Sequence, residues 1–188
     1  YWTFRGSFST VRTRERNRSE CRTYMNQFAF EIRAARLEDI PTILSLLCQK
    51  FEFDGGEGEL PATPDRLQQT LFGSTPKAYV LLAEVADVAV WLALFYFSYS
   101  SVLAQPCLWL DDLFIQAQMR RQGIGSAFFS HLAQIARSHD CGRIEWTVNS
   151  KNISGIDFYQ QQGAKVLAGT HVCRLDRAGI DRFNGLAV

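Results

Sequence analysis

The sequence predicts an α/β fold in which a mixed, mostly antiparallel sheet is flanked by helices. The length of 188 residues suits one ordinary globular domain. Hydrophobic residues make up 47% and charged residues 21% of the chain, which is average usage for a globular protein. Strand-like and helix-like patterns also alternate along the sequence. These observations exclude disordered, collagen-like and coiled-coil proteins.

The predicted elements follow the order β-α-α-β-β-β-α-β-α-β, with a short terminal helix. Alternating apolar residues indicate strands, and apolar residues three to four positions apart indicate helices. The strands are expected at residues 28–33, 78–85, 88–99, 108–115, 143–149 and 164–175. The helices are expected at residues 38–53, 64–72, 123–139, 153–162 and 177–183.

Breaker residues and apolar runs support the elements of the first half. Pro41 stands in the first turn of its helix, where proline is tolerated, and Gly73 follows the second helix. Ala86 and Asp87 join two strands into a hairpin. The apolar run at 88–97 is too short for a bilayer, which needs about 20 residues, so it indicates a buried strand.

The helix at 123–139 has the clearest pattern of the second half. A glycine, Gly142, follows its end, and Gly163 closes the next helix. The apolar stripe of the first of these helices consists of Ile124, Phe128, Leu132, Ile135 and Ala136.

Residues 1–24 differ from the rest of the chain. They carry six arginines, two glutamates and no apolar periodicity. We interpret them as a non-native or disordered basic leader ahead of one domain at 25–188. A basic arm for nucleic acid and a transit peptide are alternatives, although acidic residues are uncommon in transit peptides. Residues 25–188 carry 14 basic and 17 acidic side chains, and this net charge of −3 is compatible with a cationic substrate.

The five cysteines are scattered and form no CxxC pair. This usage is typical of a reducing compartment and not of a disulfide framework or a zinc site. We therefore expect a cytoplasmic protein without a metal. No membrane partner is expected, because the apolar run at 88–97 is too short for a bilayer. No nucleic-acid partner is expected for the domain at 25–188.

A glycine turn gives the strongest chemical signal. After the predicted strand at 108–115, residues 120–126 read Arg-Arg-Gln-Gly-Ile-Gly-Ser and open the clearest helix. Glycines at a helix start let an anion approach unpaired N–H groups, and arginines suit phosphate oxygens. The third glycine of a dinucleotide-binding fold is replaced by Phe128, and no Gly-Lys-Ser/Thr of a P-loop follows. The turn predicts a phosphate or pyrophosphate site.

The glycine turn contains Arg120, Gly123 and Gly125, and further along the chain Asn152 is followed by Tyr159 and Gly163. In this order, the two motifs resemble the acetyl-CoA motif and a second motif of the GNAT acetyltransferase superfamily. The run Leu-Asp-Asp-Leu-Phe-Ile at 110–115 resembles Leu-Glu-Asp-x-x-Val of the diamine and thialysine acetyltransferase group. The resemblance extends from about residue 28 to 176.

The resemblance implies direct transfer of an acetyl group from acetyl-CoA to a primary amine. Tyr159 matches the general acid that protonates the leaving thiolate, and Asp111 matches the carboxylate that assists deprotonation of the amine. Because the diamine group usually has glutamate there, a water relay is expected for the shorter Asp111. The resemblance also implies that acetyl-CoA is bound by Leu113, Phe114, Ile115, Arg120, Arg121, Gln122, Gly123, Ile124, Gly125, Ser126 and Asn152.

The amine is expected to be small and cationic, as in the diamine and thialysine group. The resemblance assigns Glu52, Asp111 and Asp112 to amine binding. Ser100 and Ser101 stand where polyamine-specific members tend to have an acidic residue, which favours thialysine or another short amine. A homodimer is expected from the resemblance. Acetylation of protein N-termini, lysines or an aminoglycoside, and a non-catalytic module that binds acetyl-CoA, are the alternatives.

Overall fold

The computed structural model describes residues 30–86, 88–116, 119–121 and 123–184. The chain divides into two compact units, residues 1–147 and residues 148–188. The predicted leader at 1–24 and the start of the predicted first strand lie outside the described residues. The boundaries of the leader and of the domain at 25–188 stay predictions.

The described part of the first unit contains a five-stranded mixed sheet, which confirms the predicted fold class. Strands β1 to β4 pair antiparallel in chain order, and β5 pairs parallel to β4. β-branched and aromatic residues make up 7 of the 13 residues of β3, as expected for a buried strand. The strands are β1 (Phe30–Ala34), β2 (Tyr79–Val85), β3 (Val88–Ser100), β4 (Gln105–Ile115) and β5 (Ile144–Trp146).

The helices lie close to their predicted positions. A short 3-10 helix at Leu37–Asp39 precedes α1, and Thr63 accepts a hydrogen bond from the backbone N–H of Arg66 to cap α2. The helices of the first unit are α1 (Ile40–Phe53), α2 (Pro64–Leu71) and α3 (Ile124–Ser138). Those of the second unit are α4 (Ile153–Gln161) and α5 (Arg177–Asn184).

The sheet buries both of its faces, because helices pack on each side. The predicted stripe of α3 is buried against one face, where Trp91 stacks on Phe128 with ring centroids 6.1 Å apart. Helices α1 and α2 cover the other face, through Ile43, Leu46 and Leu67 among others. Loss of a fully buried ring such as that of Phe128 costs about 3–5 kcal/mol.

Strand β4 contains one extra residue, Asp111. Leu94 of β3 pairs with Asp112 and the next residue, Phe95, pairs with Leu110. Asp111 therefore has no partner on β3 and forms a β-bulge. A bulge bends its strand and redirects the side chain at that position, which often occurs beside active sites.

Two predicted strands differ from the structure. The strand expected at 143–149 is reduced to Ile144–Trp146, because only Leu108–Leu110 of β4 pair with it. The strand expected at 164–175 is wrong, since these residues are irregular and Val166, Leu167, Val172 and Leu175 are each more than half exposed. A strand needs a partner for its backbone groups, and the described part of the second unit contains no other strand.

None of the helices described is long and apolar enough to cross a membrane.

Candidate active site

The bulge in β4 separates the surroundings of two adjacent aspartates. Asp111 is exposed, whereas Asp112 is half-buried and points to α1. No described cationic side chain forms a salt bridge with Asp111. The two carboxylates that the sequence assigned together to the amine site thus have different environments.

Lys50 of α1 supplies the positive charge that offsets Asp112. Its Nζ atom lies 2.7 Å from Oδ1 of Asp112 and 2.6 Å from Oδ2 of Asp54. Burial raises the pKa of Asp112, and the ion pair with Lys50 offsets only part of that increase. Burial alone would lower the pKa of Lys50, but its two carboxylate partners raise it above its ordinary value. Asp112 is therefore held in an internal ion pair.

Glu52 lies in the last turn of α1 and is exposed. Within the described residues, its carboxylate takes part in no ion pair. The structure thus leaves Glu52 accessible to a solute, and its predicted contact with the amine stays a prediction.

Two aromatic side chains that no motif indicated lie beside Asp111. Tyr96 of β3 and Trp109 of β4 are directly opposite each other, and their rings stack with centroids 6.4 Å apart. Burial raises the pKa of Tyr96, and the negative charge of nearby Asp111 raises it further. The carboxylate and the aromatic pair therefore form one local cluster on the sheet.

The far end of β4 has an edge that no described strand covers. Strand β5 pairs only as far as Leu110, whereas β4 continues to Ile115. Leu113 and Ile115 are half-buried in the α3-side core, and Phe114 is buried under α1. The contact of these three residues with acetyl-CoA, which the resemblance implies, stays a prediction.

The basic turn after β4 has an unusual backbone. Arg121 has a φ of 62° and Gly123 a φ of 79°, both in the left-handed region that favours glycine. Arg120 stacks on Phe53, with Cζ 4.6 Å from the ring centroid, and its Nε donates to the carbonyl of Ile115 at 3.3 Å. The predicted site residue Gln122 lies outside the described residues.

Helix α3 begins directly after Gly123, one residue later than predicted. Ile124 and Gly125 are buried, Ser126 is exposed, and the first turn contains no acidic side chain. The N–H groups of a first helical turn have no partner within the helix and attract anions. The uncovered strand edge, the two arginines and this helix start together provide donors that fit an acyl-CoA.

Asn152 and Tyr159 belong to the second unit, on α4. The Oδ1 atom of Asn152 accepts a hydrogen bond from the backbone N–H of Gly155 at 3.0 Å, so Asn152 caps the helix. Tyr159 is half-buried and its ring contacts that of Phe158, with centroids 5.5 Å apart. The structure thus gives Asn152 the role of a helix N-cap, and its contact with acetyl-CoA stays a prediction.

Among the described residues, no three His, Cys, Asp or Glu side chains cluster closely enough to hold a metal ion.

Comparison with known families identifies the fold and the chemistry. The model of the acetyltransferase (GNAT) family matches residues 40–164. The chain belongs to this family. The GNAT match includes the β4 bulge, the glycine turn and both motifs of the sequence, so the protein is an acetyl-transferring enzyme. GNAT enzymes use acetyl-CoA as co-substrate.

Individual proteins are similar to the chain. The chain is 28% identical over 165 residues to the thialysine N-ε-acetyltransferase of Bos taurus, covering 82% of this chain and 96% of that protein. It is 35% identical over 100 residues to the L-ornithine N5-acetyltransferase of Arabidopsis thaliana, covering 52% of this chain and 44% of that protein. An integron cassette protein of V. cholerae shares the fold, with a TM-score of 0.70 and 22% identity over 82% of this chain and 97% of that one.

Proposed function

We propose that this GNAT enzyme transfers an acetyl group directly from acetyl-CoA to a primary amine of a small cationic molecule, such as thialysine, a polyamine or a similar compound. The observation that carries the proposal is the β4 bulge, which leaves Asp111 exposed while Lys50 neutralises Asp112. Relatives named for acetylating thialysine and ornithine, both small amino acids with a side-chain amine, support it.

The chain's own residues would hold the co-substrate at one end of β4. The edge at 113–115, the arginines at 120 and 121 and the start of α3 are the groups that fit it. Acetyl-CoA supplies the activated acyl group when it is bound. The guanidinium of Arg120 stacks on the ring of Phe53. We expect it to leave that ring when it binds a phosphate.

Asp111 addresses the difficulty that the acceptor amine is protonated. An alkylamine with a pKa near 10.4 is only about 0.04% neutral at pH 7. An exposed carboxylate at the bulge can accept the ammonium proton, directly or through a water molecule. Asp112 cannot serve equally well, because its charge is already paired with Lys50.

Tyr159 is proposed as the acid that protonates the departing sulfur. A phenol with a pKa near 10 keeps its proton at neutral pH and can donate it to a thiolate. Glu52 is proposed to attract the cationic end of the amine. A homodimer and a cytoplasmic location remain part of the proposal, and both rest on the family resemblance and on cysteine usage.

A panel of amines tests the proposal. The full chain is incubated with acetyl-CoA and with thialysine, ornithine, diamines, an aminoglycoside or a peptide, and free thiol is followed over time. We expect the small alkylamines to be acetylated with the highest kcat/KM. Acetylation of the peptide or the aminoglycoside alone would overturn the proposed substrate class.

A further inference from the structure

The face of the sheet on which Asp112 meets Lys50 of α1 also carries an aromatic pair. In β3, Phe95 and Phe97 pack toward α3, so strand alternation puts Tyr96 between them on the opposite face. In β4, Leu108 and Leu110 also pack toward α3, which puts Trp109 on the same face as Tyr96. The two rings therefore stack on the α1 side of the sheet.

Neither ring is part of the hydrophobic core among the described residues. The cluster between the sheet and α1 and α2 includes Leu92, Leu94 and Phe114 but neither Tyr96 nor Trp109. Both aromatic side chains are half-buried and retain exposed surface. The two rings stack on each other outside the hydrophobic cluster that packs against α1. Packing of that cluster therefore does not explain why aromatic residues occupy these two positions.

Asp111 lies at one end of this pair. Trp109 is two residues before the bulge on the same strand, and the pKa of Tyr96 responds to the charge of Asp111. An aromatic face next to a carboxylate suits a molecule with an apolar carbon chain and a positive end. Ring faces attract cations and bury methylene groups, and the carboxylate binds the ammonium.

We propose that Tyr96 and Trp109 form an aromatic wall that binds the carbon chain of the acceptor amine and directs its ammonium to Asp111. The proposal rests on the proposed function and narrows it to primary alkylammonium compounds with a chain of several methylene groups. The wall determines specificity.

Replacement of the wall should weaken binding of the amine only. In Trp109→Leu, KM for an alkylamine should rise about tenfold, the usual worth of a partly desolvated cation–π contact, while KM for acetyl-CoA stays unchanged. Trp109→Phe keeps a ring and should stay within about threefold of wild type. Tyr96→Leu should reproduce the Trp109→Leu result from the neighbouring strand.

Trp146 offers a matched control on the other face of the sheet. It is also half-buried, and its ring lies 5.1 Å from that of Phe129 of α3. Trp146→Leu should lower the melting temperature without changing KM for the amine. A structural role of Trp109 would instead change both Michaelis constants together with the melting temperature.

A binding measurement adds a readout besides activity. Addition of 1,5-diaminopentane to the full chain without acetyl-CoA should change tryptophan fluorescence in the wild type but not in Trp109→Phe. If the wild type acetylates alkylamines while Trp109→Leu and Tyr96→Leu keep the wild-type KM for them, the aromatic wall is wrong. If the wild type acetylates no alkylamine at all, the proposed function itself is wrong.

Discussion

The ammonium group of Lys50 lies 2.7 Å from the carboxylate of Asp112. This ion pair links α1 to β4 at the residue that follows Asp111. This pairing gives two adjacent aspartates different environments. Asp112 stabilises the contact between helix and sheet, whereas Asp111 remains available at the bulge. The proposed deprotonation of the amine by Asp111 depends on that difference.

The first prediction concerns the stability that Lys50 provides. Lys50→Met leaves the carboxylate of Asp112 half-buried without its cation, which should lower the free energy of unfolding by about 1–3 kcal/mol at neutral pH. The double variant Lys50→Met/Asp112→Asn should recover most of that loss. Urea unfolding of both variants provides the measurement.

The loss in Lys50→Met should also depend on pH. Burial raises the pKa of Asp112 above that of the unfolded chain, so its protonated form is favoured in the folded state. Without Lys50 this pKa rises further, and the penalty of the charged form appears as pH rises through it. The loss of unfolding free energy should thus be smallest at about pH 4 and largest at neutral pH. An equal loss at both pH values would argue against an ionised Asp112 as the cause.

The second prediction concerns the backbone of the basic turn. Arg121 has a φ of 62°, where a side chain costs about 1 kcal/mol relative to glycine. Arg121→Gly should therefore be about 0.5–1 kcal/mol more stable to urea than Arg121→Ala, which removes the same charge but keeps the Cβ atom. Equal stability of the two variants would show that the left-handed conformation costs nothing here.

The third prediction separates two roles of Asn152. Its side chain caps α4, and asparagine and aspartate cap helices equally well, whereas alanine costs about 1 kcal/mol. Asn152→Asp should keep the melting temperature of the wild type, while Asn152→Ala should lower it. If the amide also donates to acetyl-CoA, Asn152→Asp should raise KM for acetyl-CoA at full stability. An unchanged KM would leave only the cap.

The fourth prediction concerns Tyr159. Tyr159→Phe removes one hydroxyl group and keeps the ring that contacts Phe158. Turnover should fall by roughly 10²–10⁴-fold, while the melting temperature and KM for acetyl-CoA change little. Steady-state kinetics beside thermal unfolding provide the check. Full turnover in this variant would eliminate Tyr159 as the acid.

The periodic parts of the sequence predicted most of the fold. The apolar residues of α3 and of the long strands β3 and β4 recur regularly enough that the sequence alone predicts their burial. The strand expected at 164–175 shows the limit of this approach, since its apolar residues have no partner strand in the described part of their unit. Local pattern indicates which backbone could form a strand, but pairing decides whether it does.

The sequence motifs indicated which residues to consider for the candidate site, but not which side chains contact one another there. The bulge leaves one sequence signal, because the residues packed toward α3 change from Leu108 and Leu110 to Leu113 and Ile115. That change of parity requires one extra residue between 110 and 113. The pair of Lys50 and Asp112 has no such signal, since it joins positions that only the tertiary fold brings together.

The fifth prediction tests the central claim, that Asp111 assists deprotonation of the amine. The measurement is the pH–rate profile of Asp111→Asn with a small alkylamine, beside the wild type and Asp112→Asn. Neutral amine becomes plentiful as pH approaches about 10, so the loss in Asp111→Asn should be large at neutral pH and shrink toward high pH. Asp112→Asn should show no such pH dependence. A loss in Asp111→Asn that is equal at every pH, or no loss at all, would contradict the account.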